Sequence, residues 1–167
     1  MDWDPDQRFN QLLESRGWSS LSPPAPKGLY RPVLRIDSFI YTSGHLPIGP
    51  DGAVVCGQVG RDVDEAQAAQ AAALAMASIL RALQQELGSL SKVARVVRLF
   101  GLVNAVADFT AHPRVLNGAS EVLAEVFGSE LGVGVRTAAG ASSLPLGAVV
   151  ELEAIFRLKS ESLADAS

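Results

Sequence analysis

The sequence is poor in the residues on which much protein chemistry depends. Its 167 residues contain one cysteine, Cys56, and two histidines, His45 and His112. A single cysteine forms no internal disulfide and no paired-cysteine metal site, which fits a reducing compartment. The two histidines lie far apart without Cys, Asp or Glu at ligand spacing, so neither zinc nor iron is signalled. Positive charge is also short. Fourteen Lys and Arg against 18 Asp and Glu give a net charge of −4 and a pI near 5.1. Without a basic tract interleaved with aromatics, the chain has nothing to hold a phosphate backbone, and nucleic acid is not an expected partner. The longest apolar run, 71–77 in an alanine-rich stretch, falls far below the roughly 18 residues a bilayer requires, and the N-terminus is acidic and polar, unlike a signal peptide. No membrane contact is expected, and the chain reads as cytoplasmic. No GxGxxG follows a strand and no GxxxxGK[ST] occurs, so no nucleotide cofactor is implied.

What is present points to a packed enzyme-sized domain. Hydrophobic residues make up 48% and charged residues 19%, with a mean hydropathy of +0.21, which excludes a disordered or collagen-like chain and suits one core. Asp4 followed by Pro5 reads as a helix start, and Phe9, Leu12 and Leu13 recur at helical spacing before Gly17. The segment SSLSPPAPKGLYRP is too rich in proline for regular structure and reads as an ordered arm or a linker. Thus 1–29 is expected to be an N-terminal helix and Pro-rich arm, 30–158 the domain, and 159–167 a polar tail.

Within the domain, VLRIDSFIYTSGHL reads as two strands hinged at Asp37-Ser38, and PIGPDG as a second turn before AVVCGQV. Asp64 caps DEAQAAQAAALAMASILRALQQELG, with Gln67 at the capping-box position and Gly88 at its end. Its alanine-rich first half suggests close packing against a sheet. Residues 92–104 (KVARVVRLFGLVN) are β-branched and apolar on both alternating faces. His112 and Pro113 open another helix running to Gly128, and a last strand covers 149–158. The order predicts an α+β fold, a mixed sheet with two helices on one face. Two helices cover one face only, so the apolar strand 93–103 calls for a second copy of the chain.

Candidate chemistry gathers in two places. Glu151 and Glu153 alternate with apolar neighbours, so both carboxylates share one strand face, as an acid/base pair or as a solvated edge. Arg136 lies in GVGVRTAAGASSLPLG, where small residues let a ligand approach the backbone. Its guanidinium suits a carboxylate fork, and equally an ordinary ion pair.

The segments YTSGHLPIGPDG, Glu65 to Asn104, VLNGASEVLAEVFG and VRTAAGASSLPLGAVVELEAI, in this order from about Tyr30 to Leu158, together resemble the reactive intermediate deaminase family (Rid, also YjgF-like or L-PSP endoribonuclease-like). The similarity is greatest to a longer subgroup carrying an N-terminal helix and arm. The resemblance implies chorismate-mutase-like subunits forming a homotrimer around a central β-barrel, with clefts between neighbours. It implies that Arg136 binds a substrate carboxylate and Glu151 positions water or a proton. Tyr30, Ser43, Gly44, Asn117 and Ala138 are implied as substrate-binding. Two positions depart from the family pattern. Ala138 replaces a frequent cysteine while keeping its backbone carbonyl, and His45 replaces a glutamine common after the Ser-Gly turn. The implied activity is cofactor-free, metal-free hydrolysis of enamine or imine acids such as 2-aminoacrylate to 2-keto acids and ammonia. A non-catalytic carboxylate-binding trimer is the alternative, and RNA cleavage, suggested by the family's older name, comes last given the acidic charge.

Overall fold

The computed structural model describes residues 4–160. All but the first two residues of the expected tail lie outside them. Helix α1 (Pro5–Ser15) starts where the sequence places it: the Asp4 carboxylate accepts from the backbone N–H of Asp6 and Gln7. Phe9, Leu12 and Leu13 are fully buried in the same core as the rest of the chain. Asp6 pins this helix down. Its carboxylate accepts from Ser89 Oγ, Gln84 Nε2 and the Leu90 N–H; burial alone would raise its pKa, but these hydrogen bonds outweigh it and hold the group below its usual value.

Strands β1 (Val33–Ile36) and β2 (Phe39–Thr42) form the expected hairpin, turning through Asp37 at φ 52°. Residues 53–59, which follow the second turn, make only isolated bridges rather than a strand. The hydrophobic pattern there was insufficient because valine-rich chain needs a ladder neighbour to become strand, and β1 and β2 pair elsewhere. Helix α2 (Glu65–Leu87) carries the complete capping box between Asp64 and Gln67 and stops at Gly88 in the left-handed region, φ 78°, a cap worth about 1 kcal/mol. It has the length and hydropathy of a membrane-crossing helix, yet most of its apolar surface is core.

A 3₁₀ turn (Leu90–Lys92) leads into β3 (Val93–Asn104), and α3 (His112–Phe127) follows with the single turn α4 (Ser129–Gly132). Strand β4 (Val135–Ala141), a 3₁₀ turn (Pro145–Gly147) and β5 (Val150–Leu158) complete the chain. The sheet runs β1-β2-β5-β3-β4, antiparallel except for the parallel β3–β4 pair. The alanine-rich half of α2 also allows close approach to a helix: a Cβ at Gly118 of α3 would strike the Ala69 carbonyl of α2.

Along β5, Val150, Leu152, Ala154, Phe156 and Leu158 are buried beneath the helices, whereas Glu151, Glu153, Ile155 and Arg157 face the other way. That uncovered face also carries Leu34, Ile36 and Tyr41, all exposed, and half-buried Phe100 and Leu102. The mixed α+β sheet with helices on one face is thus as expected, and the other face, which mixes these apolar residues with the charges of Glu151, Glu153 and Arg157, is left bare within the single chain.

Candidate functional site

The sequence-derived residues fall into two groups rather than one. The first surrounds Glu151. A cavity of about 450 Å³ is lined by Lys27, Tyr30, Ser43, Gly44, Leu46, Pro145, Leu146 and Glu151. The Ser-Gly turn continues β2 alongside β5, where the His45 and Leu152 backbones exchange hydrogen bonds of 2.7 and 3.0 Å. This sets Gly44 against Glu151 so closely that a Cβ at Gly44 would overlap the carboxylate. Glycine here leaves the carboxylate its space, and the backbone conformation itself makes no demand for it. Ser43 Oγ donates to the Arg31 carbonyl and its backbone N–H to the Pro32 carbonyl, which ties the Pro-rich arm to the site. The Tyr30 hydroxyl accepts from the Lys27 N–H at 3.3 Å.

Glu151 is the perturbed carboxylate. Partial burial, and then the neighbouring charge of Glu153, raise its pKa above the ordinary 4.5. Glu153, two residues along on the same face, is exposed and lines no part of the cavity. The structure therefore separates two groups that alternation left equivalent.

The second group surrounds Arg136 on edge strand β4. Its register opposite Leu99, itself opposite Ala154, puts it on the helix side of the sheet. There Nη1 donates to Asn117 Oδ1 at 2.9 Å and to Ser120 Oγ at 3.0 Å, both on α3. These two bonds use both Nη1 protons, and among the described residues the Nε and Nη2 edge takes part in no hydrogen bond or ion pair. That edge is the geometry of a side-on fork for a carboxylate. A hollow of about 260 Å³ adjoins it, lined by Asn117, Ser120, Val133 and Gly134. Ser120 was not singled out from sequence. It lies three residues beyond Asn117 and so shares its helix face, which is the one signal that could have found it. Ala138 lies two residues beyond Arg136, opposite Gly101, half-buried against the core.

Glu151 and Arg136 are not brought together within one chain, and Tyr30, Ser43 and Gly44 belong with the former while Asn117 belongs with the latter. Among the described residues no group of His, Cys, Asp and Glu is placed to hold a metal ion.

Residues 18–157 match the family described as "YjgF/chorismate_mutase-like, putative endoribonuclease". A Trypanosoma cruzi protein, TCP17, is 36% identical over 121 residues, 72% of this chain and 76% of its own length. The crystal structure of Atu1372 from Agrobacterium tumefaciens, a protein described as of unknown function, superposes with a TM-score of 0.82 at 37% identity, covering 93% of this chain and 95% of that one. RidA from the Antarctic bacterium Psychrobacter sp. PAMC 21119 superposes with a TM-score of 0.57 at 25% identity over 82% and 94% of the two chains. With its mixed sheet, its one-sided helices and the family resemblance that runs over 18–157, the chain belongs to the YjgF/chorismate mutase-like (Rid) family.

Proposed function

We propose that the protein hydrolyses reactive 2-imino acids and their enamine tautomers, of the 2-aminoacrylate type, to 2-oxo acids and ammonia. The observation that carries this reading is Glu151: a half-buried carboxylate with a raised pKa, set against a glycine that makes room for it, in a cavity open to a small ligand. A protonated imine carbon is already electrophilic. The protein need only hold the carboxylate of the substrate, present water to that carbon and move protons. Arg136 supplies the hold through its unpartnered edge. Glu151 takes a proton from water as its oxygen bonds to the carbon and returns it to the nitrogen, which leaves as ammonia; the remaining hydroxyl gives its proton back to the Glu151 carboxylate as the carbonyl forms, and that proton passes on to the released ammonia. A carboxyl pKa raised towards neutrality serves both directions of this transfer.

Arg136 and Glu151 lie on opposite faces of one sheet, so the working site in this proposal spans two copies of the chain. The bare face with Leu34, Ile36, Tyr41, Phe100 and Leu102 is the surface on which copies pack, as a closed homotrimer around a central barrel. Hydrolysis of imines needs no cofactor in this scheme, and the cytoplasm, where such intermediates leave pyridoxal phosphate enzymes, is the proposed location. The family description also names endoribonuclease activity, but a net charge of −4 argues against a polyanionic substrate.

The test is ammonia release from imine generated in place by a pyridoxal phosphate dehydratase, with spontaneous hydrolysis subtracted. Glu151→Gln should lower turnover by about 100-fold or more, the usual loss for a general acid/base, while 2-oxo acid binding persists. Wild-type turnover no faster than the spontaneous rate, with 2-oxo acid binding retained, would instead favour a carboxylate-binding trimer without catalysis.

A further inference from the structure

Ser120 has no part in the hydrolytic scheme, and its place on α3 calls for a reason. Serine is a poor choice for the middle of a helix, because its hydroxyl competes for backbone groups. Here it stands beside buried Ala119, Val122 and Leu123, where alanine would suit the helix better. Its Oγ instead accepts from Arg136 Nη1 at 3.0 Å, and Asn117 Oδ1, one turn earlier, accepts from the same nitrogen at 2.9 Å. Strand β4 does not depend on this tie for its position, since all seven of its residues are in register with β3.

Two features of the tie concern the guanidinium rather than the strand. An exposed arginine on an edge strand has several rotatable bonds and many rotamers open to it. Two acceptors on one Nη leave its planar group a single orientation, fixed before any ligand arrives. Both acceptors are also neutral. Although α3 carries Glu121 and Glu125, Arg136 forms an ion pair with neither among the described residues. A carboxylate in place of Ser120 would hold the guanidinium as firmly, but it would satisfy the positive charge and compete with an anionic ligand. A hydroxyl fixes the group without doing so.

We infer that Ser120 is a positioning residue, which locks the Arg136 guanidinium in the orientation that forks a substrate carboxylate while leaving its charge uncompensated. The inference rests on the reading of Arg136 as the carboxylate clamp, and not on hydrolysis.

The test uses the full chain with isotope-labelled arginine, and 2-oxobutanoate as the probe. Bonding of both Nη1 protons slows rotation of the guanidinium, so the wild type should show separate Nη1 and Nη2 resonances, assigned by their absence from Arg136→Lys. Ser120→Ala should merge them and weaken 2-oxobutanoate binding about three- to tenfold in calorimetry, the usual cost of ordering a free side chain on binding. Ser120→Thr, which keeps the hydroxyl, should restore both. Ser120→Asp should keep the resonances apart yet bind the acid more weakly than Ser120→Ala, because orientation is retained and free charge is not. In imine turnover, Ser120→Ala should raise KM and leave kcat nearly unchanged, the mark of an interaction made equally in ground and transition states.

Merged resonances in the wild type, separate ones in Ser120→Ala, or wild-type affinity in that variant overturns the role. Failure of Ser120→Thr to restore what Ser120→Ala loses also overturns it and marks Ser120 as packing. Wild-type affinity in Ser120→Asp overturns the part assigned to charge. The expected binding series without any imine turnover sinks the deaminase reading and leaves Ser120 in its role. If the wild type does not bind 2-oxobutanoate, the Arg136 clamp and the role of Ser120 fall together.

Discussion

Arg136 and Glu151 face opposite sides of one β-sheet: the arginine is tied to Asn117 and Ser120 on the helix side, and the carboxylate alternates with buried Val150 and Leu152. A substrate that needs both must lie between two copies of the chain. Co-refolding Arg136→Ala with Glu151→Gln should then restore activity that neither variant has alone. In a closed ring, random mixing gives about a quarter of the interfaces an intact arginine from one subunit and an intact glutamate from the next. Activity near that fraction supports the shared site. A mixture as inactive as its components means that both groups act from one chain.

Arg136→Lys should weaken 2-oxo acid binding about tenfold or more, because an ammonium replaces a planar edge with a point charge. The fold should be kept, since Arg136 is exposed on an edge strand. Calorimetry beside thermal melting reads the two effects separately. Unchanged affinity would assign the Arg136, Asn117 and Ser120 cluster to structure alone.

Gly44→Ala tests the space that the fold leaves for Glu151. The added methyl would overlap the carboxylate, not backbone, so a flexible side-chain end can swing away and the chain still folds. Turnover should fall by about 10- to 100-fold, as expected when a reacting group is misplaced by about an ångström. Binding through Arg136 should change far less. Wild-type turnover in this variant would show that the Glu151 position is not critical.

The elements that announce themselves in the sequence are those whose signals are local. Helix α2 has its capping box and terminal glycine, α1 its Asp-Pro start, and the β1–β2 hairpin its Asp37-Ser38 turn. Strand β4 had no such signal. VRTAAGA is small and flexible in composition, and it becomes a strand only because residues 98–104 of β3 offer a parallel edge. Likewise Glu151 and Glu153 share a face and cannot be ranked by alternation. What separates them is Gly44 and Tyr30, brought from the far end of the domain. The placement of Lys27 and Leu146 around the same cavity is also tertiary, set by an arm with no periodicity and by a turn in which Leu146 sits at φ 58°. The two-sided character of β3, by contrast, was readable in its residues, and the bare face now seen bears Phe100 and Leu102 from that strand.

His45 gives the fold a built-in dependence on pH. The unfolded chain takes up a proton at this residue near 6.5, whereas burial keeps the folded ring neutral to lower pH, despite the hydrogen bond to Ser43. Between the two values the unfolded state binds more protons, so stability rises with pH across that window and falls as the solution is acidified below 6.5. His45→Gln removes the titrating group while retaining a side chain that can hydrogen-bond. His112 is present in both proteins, as are Glu151 and the Asp6 carboxylate, so their contributions cancel to first order in the comparison. Melting temperatures measured from about pH 7.5 down to about pH 5 should therefore diverge, the wild type losing more than the variant as the acid limb is approached. Parallel curves would mean that the folded protein protonates His45 as readily as the unfolded chain does, and the neutral state assigned to this buried ring would be wrong.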